Sequence, residues 1–138
     1  MGFHRGPSIV KDGLVLHLDA ANPKSYPGTG TEWSDLSGNG NSGTLTNGPT
    51  FDSGNNGSIQ FDGVDDKVKL SANLVIKAKE DKSYEALIKL NSNFNSDGSI
   101  FAGRRNSTNN FDVTPSRVLR ASEDDVFVTS SPFTLETQ

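Results

Sequence analysis

The fold class is decided by residues 58–70, which read Ser-Ile-Gln-Phe-Asp-Gly-Val-Asp-Asp-Lys-Val-Lys-Leu. Apolar and polar side chains alternate on both sides of a turn rich in Asp and Gly, and this period of two is typical of strands that bury one face. We expect Ser58–Phe61 and Lys67–Leu70 to form an antiparallel hairpin, with Asp62-Gly63 and Asp65-Asp66 in its tight turn. The stretch therefore indicates a β protein.

Shorter strand signals stand on both sides of this stretch, separated by turns rich in Gly, Asn and Pro. The predicted strands are, in chain order, Gly13–Asp19, Gly43–Thr46, Tyr84–Leu90, Ser99–Ala102, Val126–Val128 and Phe133–Leu135. The sequence of Asn73–Asp81 is compatible with one helical turn. Nothing in the sequence indicates a helix of greater length. Several short strands without a long helix favour an all-β sandwich or jelly roll.

Length, charge and composition exclude several classes of protein function and of binding site. A chain of 138 residues has the usual length of one domain. The net charge is -4, and the longest run of basic residues is Arg104-Arg105, so no nucleic-acid partner is expected. Cysteine is absent, which excludes disulfides and thiolate zinc sites. Residues 1–10 contain no long apolar run, so neither a signal peptide nor membrane insertion is expected. We expect these residues to form either a frayed terminus or an arm that lies on a neighbouring chain.

Five segments carry a resemblance to a known family. They are 12–20 (Asp-Gly-Leu-Val-Leu-His-Leu-Asp-Ala), 33–41 (Trp-Ser-Asp-Leu-Ser-Gly-Asn-Gly-Asn), 43–45 (Gly-Thr-Leu), 59–66 (Ile-Gln-Phe-Asp-Gly-Val-Asp-Asp) and 84–86 (Tyr-Glu-Ala). Their order and spacing resemble the laminin-G-like, concanavalin-A-like jelly-roll domains of bacteriophage virion proteins, of the type found in cyanophages and marine phages.

The resemblance implies an all-β jelly-roll sandwich over residues 11–138, with residues 1–10 as an N-terminal arm and the strongest match over 12–103. It also implies a virion structural protein, such as a capsid decoration, a neck or tail component or a fibre. Such a protein is assembled in the host cytoplasm and contacts other virion proteins, and we expect a homo-oligomer. Residues 104–138 depart from the pattern, so the sandwich is either abbreviated at the C-terminus or completed by neighbouring chains.

Four carboxylates form the candidate metal site, namely Asp35, Asp62, Asp65 and Asp66. Calcium binds six to eight oxygen ligands from carboxylates and from turn backbone, and related domains hold calcium near equivalent loops. The alternative is that Asp35 caps a turn, and that the other three set hairpin geometry by bonding to their own backbone. Both interpretations stay open from the sequence, and no other cofactor is indicated.

Tyr26, Trp33, Asn39 and Asn41 form the candidate carbohydrate site, in which aromatic rings next to polar turns would stack on host-surface glycans. The alternative is that Trp33 fills the core. An enzyme is not expected, because His4 and His17 have no Ser and acid partners at triad spacing. The Glu-x-Asp-x-x-Glu strand of related jelly-roll glucanases is also absent.

Overall fold

The structure, a computed structural model, describes residues 9–71, 81 and 83–90, and the backbone of residues 98–102, 110–113, 119–123 and 126–129. The chain divides into two compact units, Met1–Val75 and Ile76–Gln138. Three predictions fall wholly or largely outside the described residues. They are the N-terminal arm, of which residues 9 and 10 are described, the helical turn at 73–81, of which residue 81 is described, and the strand at 133–135.

The first unit contains two small antiparallel sheets. Its strands are β1 (Glu32–Trp33), β2 (Gly43–Thr46), β3 (Thr50–Asp52), β4 (Ser58–Gln60) and β5 (Lys67–Leu70). One sheet has the order β1-β2-β5, and the other consists of β3 and β4. The predicted strand at Gly43–Thr46 is confirmed, as is the alternating burial along β5.

The predicted hairpin between residues 58–61 and 67–70 is wrong in its pairing. Both strands exist, but β4 pairs with β3, Phe51 facing Ile59, whereas β5 pairs with β2, Leu45 facing Val68. The hairpin of this unit is β3–β4, which closes through a 3-10 turn at Gly54–Asn56. The alternation predicted both strands because it reports local burial, but it carries no information about the partner strand.

The strand predicted at Gly13–Asp19 is also wrong, because the segment forms no ladder. The segment nevertheless lies beside the loop that follows β1, where the N–H of His17 donates to the carboxylate of Asp35. The carbonyl of His17 accepts from the N–H of Leu36. A neighbouring loop therefore supplies the hydrogen bonds that a strand would have supplied.

The core of the first unit is centred on Tyr26, which is 4% exposed. Its ring lies 5.4 Å from that of Phe51 in β3 and 6.5 Å, edge to face, from that of Trp33 in β1, measured between centroids. Tyr26 thus packs against a residue from each of the two sheets. Leu45 of β2, at 5% exposure, is the other buried hydrophobic residue of the described chain.

The second unit contains a four-stranded antiparallel sheet in which sequential strands are neighbours. Its strands are β6 (Gly98–Ala102), β7 (Asn110–Val113), β8 (Leu119–Glu123) and β9 (Val126–Thr129). The strands predicted at 99–102 and 126–128 are confirmed, whereas β7 and β8 were not predicted. The register shifts between Ser99 and Phe101, which indicates an irregularity in the β6–β7 pairing.

The strand predicted at Tyr84–Leu90 is wrong, since the structure assigns no strand to these residues. The pattern is that of a strand, but a strand also needs a second strand to form a ladder, and no ladder in the described part of the chain includes this segment. Leu87 is left at 103% exposure.

The all-β class is confirmed at the level of mostly short antiparallel strands without an α-helix among the described residues. The jelly-roll arrangement of a single sandwich stays a prediction. In the part of the chain that the structure describes, no helix is long and apolar enough to cross a membrane.

Candidate functional site

Asp35 is the centre of a polar cluster in the loop after β1. Its Oδ1 accepts hydrogen bonds from the N–H groups of His17 and Ser37, both at 2.9 Å. Its Oδ2 accepts from the Ser37 hydroxyl at 2.7 Å and from the Asn41 N–H at 2.9 Å. One carboxylate therefore organises the loop on which it lies and attaches that loop to the segment at His17.

Side chains from this loop also lie against the carbonyls of the same segment. Asn41 Nδ2 donates to the Val15 carbonyl at 2.9 Å, and the Ser37 hydroxyl lies 3.1 Å from the same oxygen. Asn39 Nδ2 donates to the Leu14 carbonyl at 2.8 Å and approaches that of Val15 at 3.3 Å. We call the four residues Asp35, Ser37, Asn39 and Asn41 the Asp35 clamp.

The electrostatics of the clamp favour the charged form of Asp35. Burial raises its pKa, but the bonds from the Ser37 hydroxyl and from the N–H groups of His17, Ser37 and Asn41 together outweigh it. The net effect lowers the pKa of Asp35 from 3.8 to about 2. Hydrogen bonds to a charged acceptor are stronger than those between neutral groups, so the clamp is a substantial local source of stability.

The other three predicted metal ligands, Asp62, Asp65 and Asp66, lie together in the loop between β4 and β5. Each offers a carboxylate oxygen, and the three atoms lie within 4.8 Å of one another. Asp35 does not belong to this group. The structure therefore divides the four predicted ligands into one clamp residue and one carboxylate trio.

The trio also shapes its own loop. Asp62 Oδ1 accepts from the N–H of Val64 at 2.8 Å, and Asp66 Oδ2 accepts from the N–H of Asp62 at 2.9 Å. Asp65 Oδ2 accepts from Asn47 Nδ2 at 2.7 Å. Each carboxylate thus uses one oxygen to fix the loop.

One buried oxygen of the trio has no hydrogen-bond partner among the described residues. Oδ1 of Asp66 is buried and without a hydrogen bond among the described residues. Three clustered carboxylates repel one another, and a hard cation such as calcium would relieve that repulsion. The loop geometry and the metal interpretation are therefore compatible here.

The predicted carbohydrate residues fall into two separate environments. Tyr26 lies inside the unit, and its hydroxyl donates to the Gly30 carbonyl at 2.7 Å, so neither ring face is open to a sugar. Trp33 is half-buried against Tyr26, and its indole N–H is buried without a partner among the described residues. Asn41 is buried and Asn39 exposed, and both amides are engaged by the clamp.

Ser25 is a functional residue of the fold that sequence reasoning missed. It is fully buried, its hydroxyl donates to the Ser34 carbonyl at 2.6 Å, and it accepts from the N–H of Asp19 at 3.1 Å. The signal available in the sequence was its position next to Tyr26 after an Asn-Pro turn, which is too common to single out a buried serine.

Comparison with known proteins gave no relatives: the chain matches no family model and is significantly similar to no curated protein and no solved structure.

Proposed function

We propose that this chain is a structural protein of a bacteriophage virion that acts through protein–protein contacts. In this proposal it folds as a laminin-G-like jelly roll and forms a homo-oligomer. It joins other virion proteins as a capsid decoration, a neck or tail component or a fibre, and it has no enzymatic role.

The positions of the resemblance segments in the fold support a structural role. The Asp35 clamp holds segments 12–20 and 33–41 together, and segment 43–45 lies in β2, the middle strand of the β1-β2-β5 sheet. The clamp side chains Asp35, Asn39 and Asn41 are occupied by backbone groups of the same unit. Residues used in this way serve the architecture and leave few donors or acceptors for a substrate.

The observation that carries the proposal is the exposure of several large apolar side chains among the residues that the structure describes. Tyr26 and Leu45 are the buried hydrophobic residues of the described chain, whereas Val64 is 84% exposed and Val10 77% exposed. The other exposed large hydrophobics are Ile9, Val15, Phe61, Tyr84, Leu87 and Ile88. A small β unit without disulfides gains stability when a partner covers such side chains.

Proteomics of purified particles tests the virion assignment. Intact particles from the phage that carries this gene, separated from lysate by density-gradient centrifugation, are expected to contain peptides of this chain at a constant ratio to the major capsid protein. A soluble host protein of similar abundance in the lysate is the control and should decline through the purification. A chain that declines with the control would contradict the proposal.

The carboxylate trio favours a second candidate function, a calcium-dependent module that binds host-surface glycans. On this proposal, calcium bound by Asp62, Asp65 and Asp66 would order their loop and present it to a sugar. We expect the protein to bind to a glycan array in calcium, and we expect a chelator or Asp65→Asn to abolish this binding. The control is Asp12→Asn, which removes the same charge at an exposed position outside the trio and should retain binding. Binding that is indifferent to calcium and to both variants, or no binding, would reject it.

A further inference from the structure

The chain contains three Asn-Gly pairs in its described turns, at Asn39, Asn47 and Asn56. Asparagine before glycine is the pair most open to spontaneous deamidation, because glycine has no Cβ to hinder attack by its own backbone nitrogen. Asn39 and Asn56 differ in what the asparagine side chain and the following N–H do in the folded state.

Asn39 combines two features that Asn56 lacks. The N–H of Gly57, after Asn56, is tied to the Gly54 carbonyl at 3.0 Å, whereas no acceptor is bonded to the N–H of Gly40 among the described residues. The amide of Asn39 also bridges to carbonyls 24 and 25 residues away in the chain.

We propose that Asn39 is a deamidation site controlled by the Asp35 clamp, and that its conversion holds the clamp open irreversibly. While the clamp is closed, Nδ2 of Asn39 lies within hydrogen-bond distance of three acceptors, and its two N–H groups donate to them, which keeps Cγ from turning toward Gly40. When the loop opens, the two atoms can meet.

The reaction needs water alone. The backbone nitrogen of Gly40 attacks Cγ of Asn39, a bond forms between them, and the Cγ–Nδ2 bond breaks. Ammonia leaves, taking up the proton of the Gly40 N–H, and a succinimide ring remains. Water then opens the ring at one of its two carbonyls and gives aspartate or isoaspartate, without any change of oxidation state.

The product cannot restore the bridge. The amide of Asn39 donates to the carbonyls of Leu14 and Val15, but a carboxylate has no hydrogen to donate and places negative charge against both oxygens. Its charge also lies near that of Asp35, since Ser37 contacts both side chains. Closure is therefore opposed after conversion.

The first test compares the rates of conversion at Asn39 and Asn56. The full-length folded chain is incubated at mildly alkaline pH, and peptide-mapping mass spectrometry follows positions 39 and 56. Asp35→Asn, which loosens the clamp, is expected to accelerate conversion at Asn39 several-fold and to leave Asn56 unchanged. Asp19→Asn, which removes the same charge from a local turn, is the control and should accelerate neither. Equal rates at Asn39 in all three proteins would overturn the proposal.

The second test is the effect of the product. Asn39→Asp is expected to lower the Tm by roughly 3 to 6 °C, and Asn56→Asp, at a side chain outside the clamp, should leave it unchanged. Asn39→Gln keeps an amide but closes a ring much more slowly, so incubated Asn39→Gln should retain its initial Tm while the incubated wild type loses stability. An Asn39→Asp variant as stable as Asn56→Asp would overturn the proposal even if conversion occurs.

Discussion

Replacing Asp35 by asparagine removes one charge from the clamp while preserving the size and shape of the side chain. The carboxylate accepts four hydrogen bonds, two at each oxygen. An asparagine has one oxygen, so its NH₂ group must face either the N–H groups of His17 and Ser37 or that of Asn41. At least one backbone donor in a half-buried site then loses its acceptor.

The magnitude follows from the pKa and from the lost bonds. The fall in the pKa of Asp35 from 3.8 to about 2 corresponds to about 2.5 kcal/mol of preference for the charged carboxylate in the fold. Because the site is only partly buried, solvent screening reduces this to about 1–2 kcal/mol. Opposing a backbone N–H with another donor adds about 1 kcal/mol. Asp35→Asn should therefore lower the free energy of unfolding by about 2–3 kcal/mol.

Urea unfolding at neutral pH measures this, with Trp33, the single tryptophan of the chain, as the fluorescent reporter. Asp19→Asn is the matched control, since Asp19 makes one exposed bond to the N–H of Ala21 at 2.9 Å. We expect the control to cost less than about 1 kcal/mol. If Asp35→Asn costs no more than Asp19→Asn, the clamp does not hold the loop and the reasoning fails.

Three other perturbations follow from the same structure. The folded-state pKa of Asp35 lies below its ordinary value, so the charged carboxylate stabilises the fold fully above about pH 4, and this stabilisation is lost as the pH falls toward 2. When Tm is measured against pH, it should therefore decline less steeply over that window in Asp35→Asn than in the wild type. Gly43→Ala places a Cβ 2.5 Å from Cγ1 of Val68 across the β2–β5 ladder. Overpacking of this kind should lower the free energy of unfolding in urea by about 1–3 kcal/mol. An unchanged unfolding midpoint would mean that the two strands are farther apart. Tyr26→Phe removes the bond to the Gly30 carbonyl but keeps the ring contacts, so calorimetry should show a loss of about 1 kcal/mol, and a larger loss would mean that the ring packing had also changed.

Local alternation predicted the strands that are half-buried, and it failed where hydrogen bonding decides the structure. Residues 67–70 became β5 as expected. Residues 13–19 have the same pattern, yet side chains of the Asp35 clamp satisfy their backbone, and these side chains lie more than 15 residues farther along the chain. No local pattern encodes such a partner, and the same limit explains the wrong pairing of β4.

The candidate sites show a similar division. The carboxylate trio was identifiable from the sequence because Asp and Gly cluster in residues 62–66. Its three carboxylates do lie together in the structure. The place of Asp35 in the clamp depends on contacts with His17 and Asn41 that only the fold brings about. The burial of Tyr26 likewise depends on Phe51, which lies in β3, farther along the chain.

The mass of the full-length chain in solution, measured by light scattering coupled to size exclusion, tests most directly the claim that contacts between chains cover its apolar side chains. We expect a stable multiple of the 14.8 kDa protomer. Leu87→Ser, at a fully exposed position, should shift the mass toward the protomer, while Glu85→Gln, an exposed polar change in the same segment, should not. A wild-type chain that stays monomeric at all concentrations would contradict the claim.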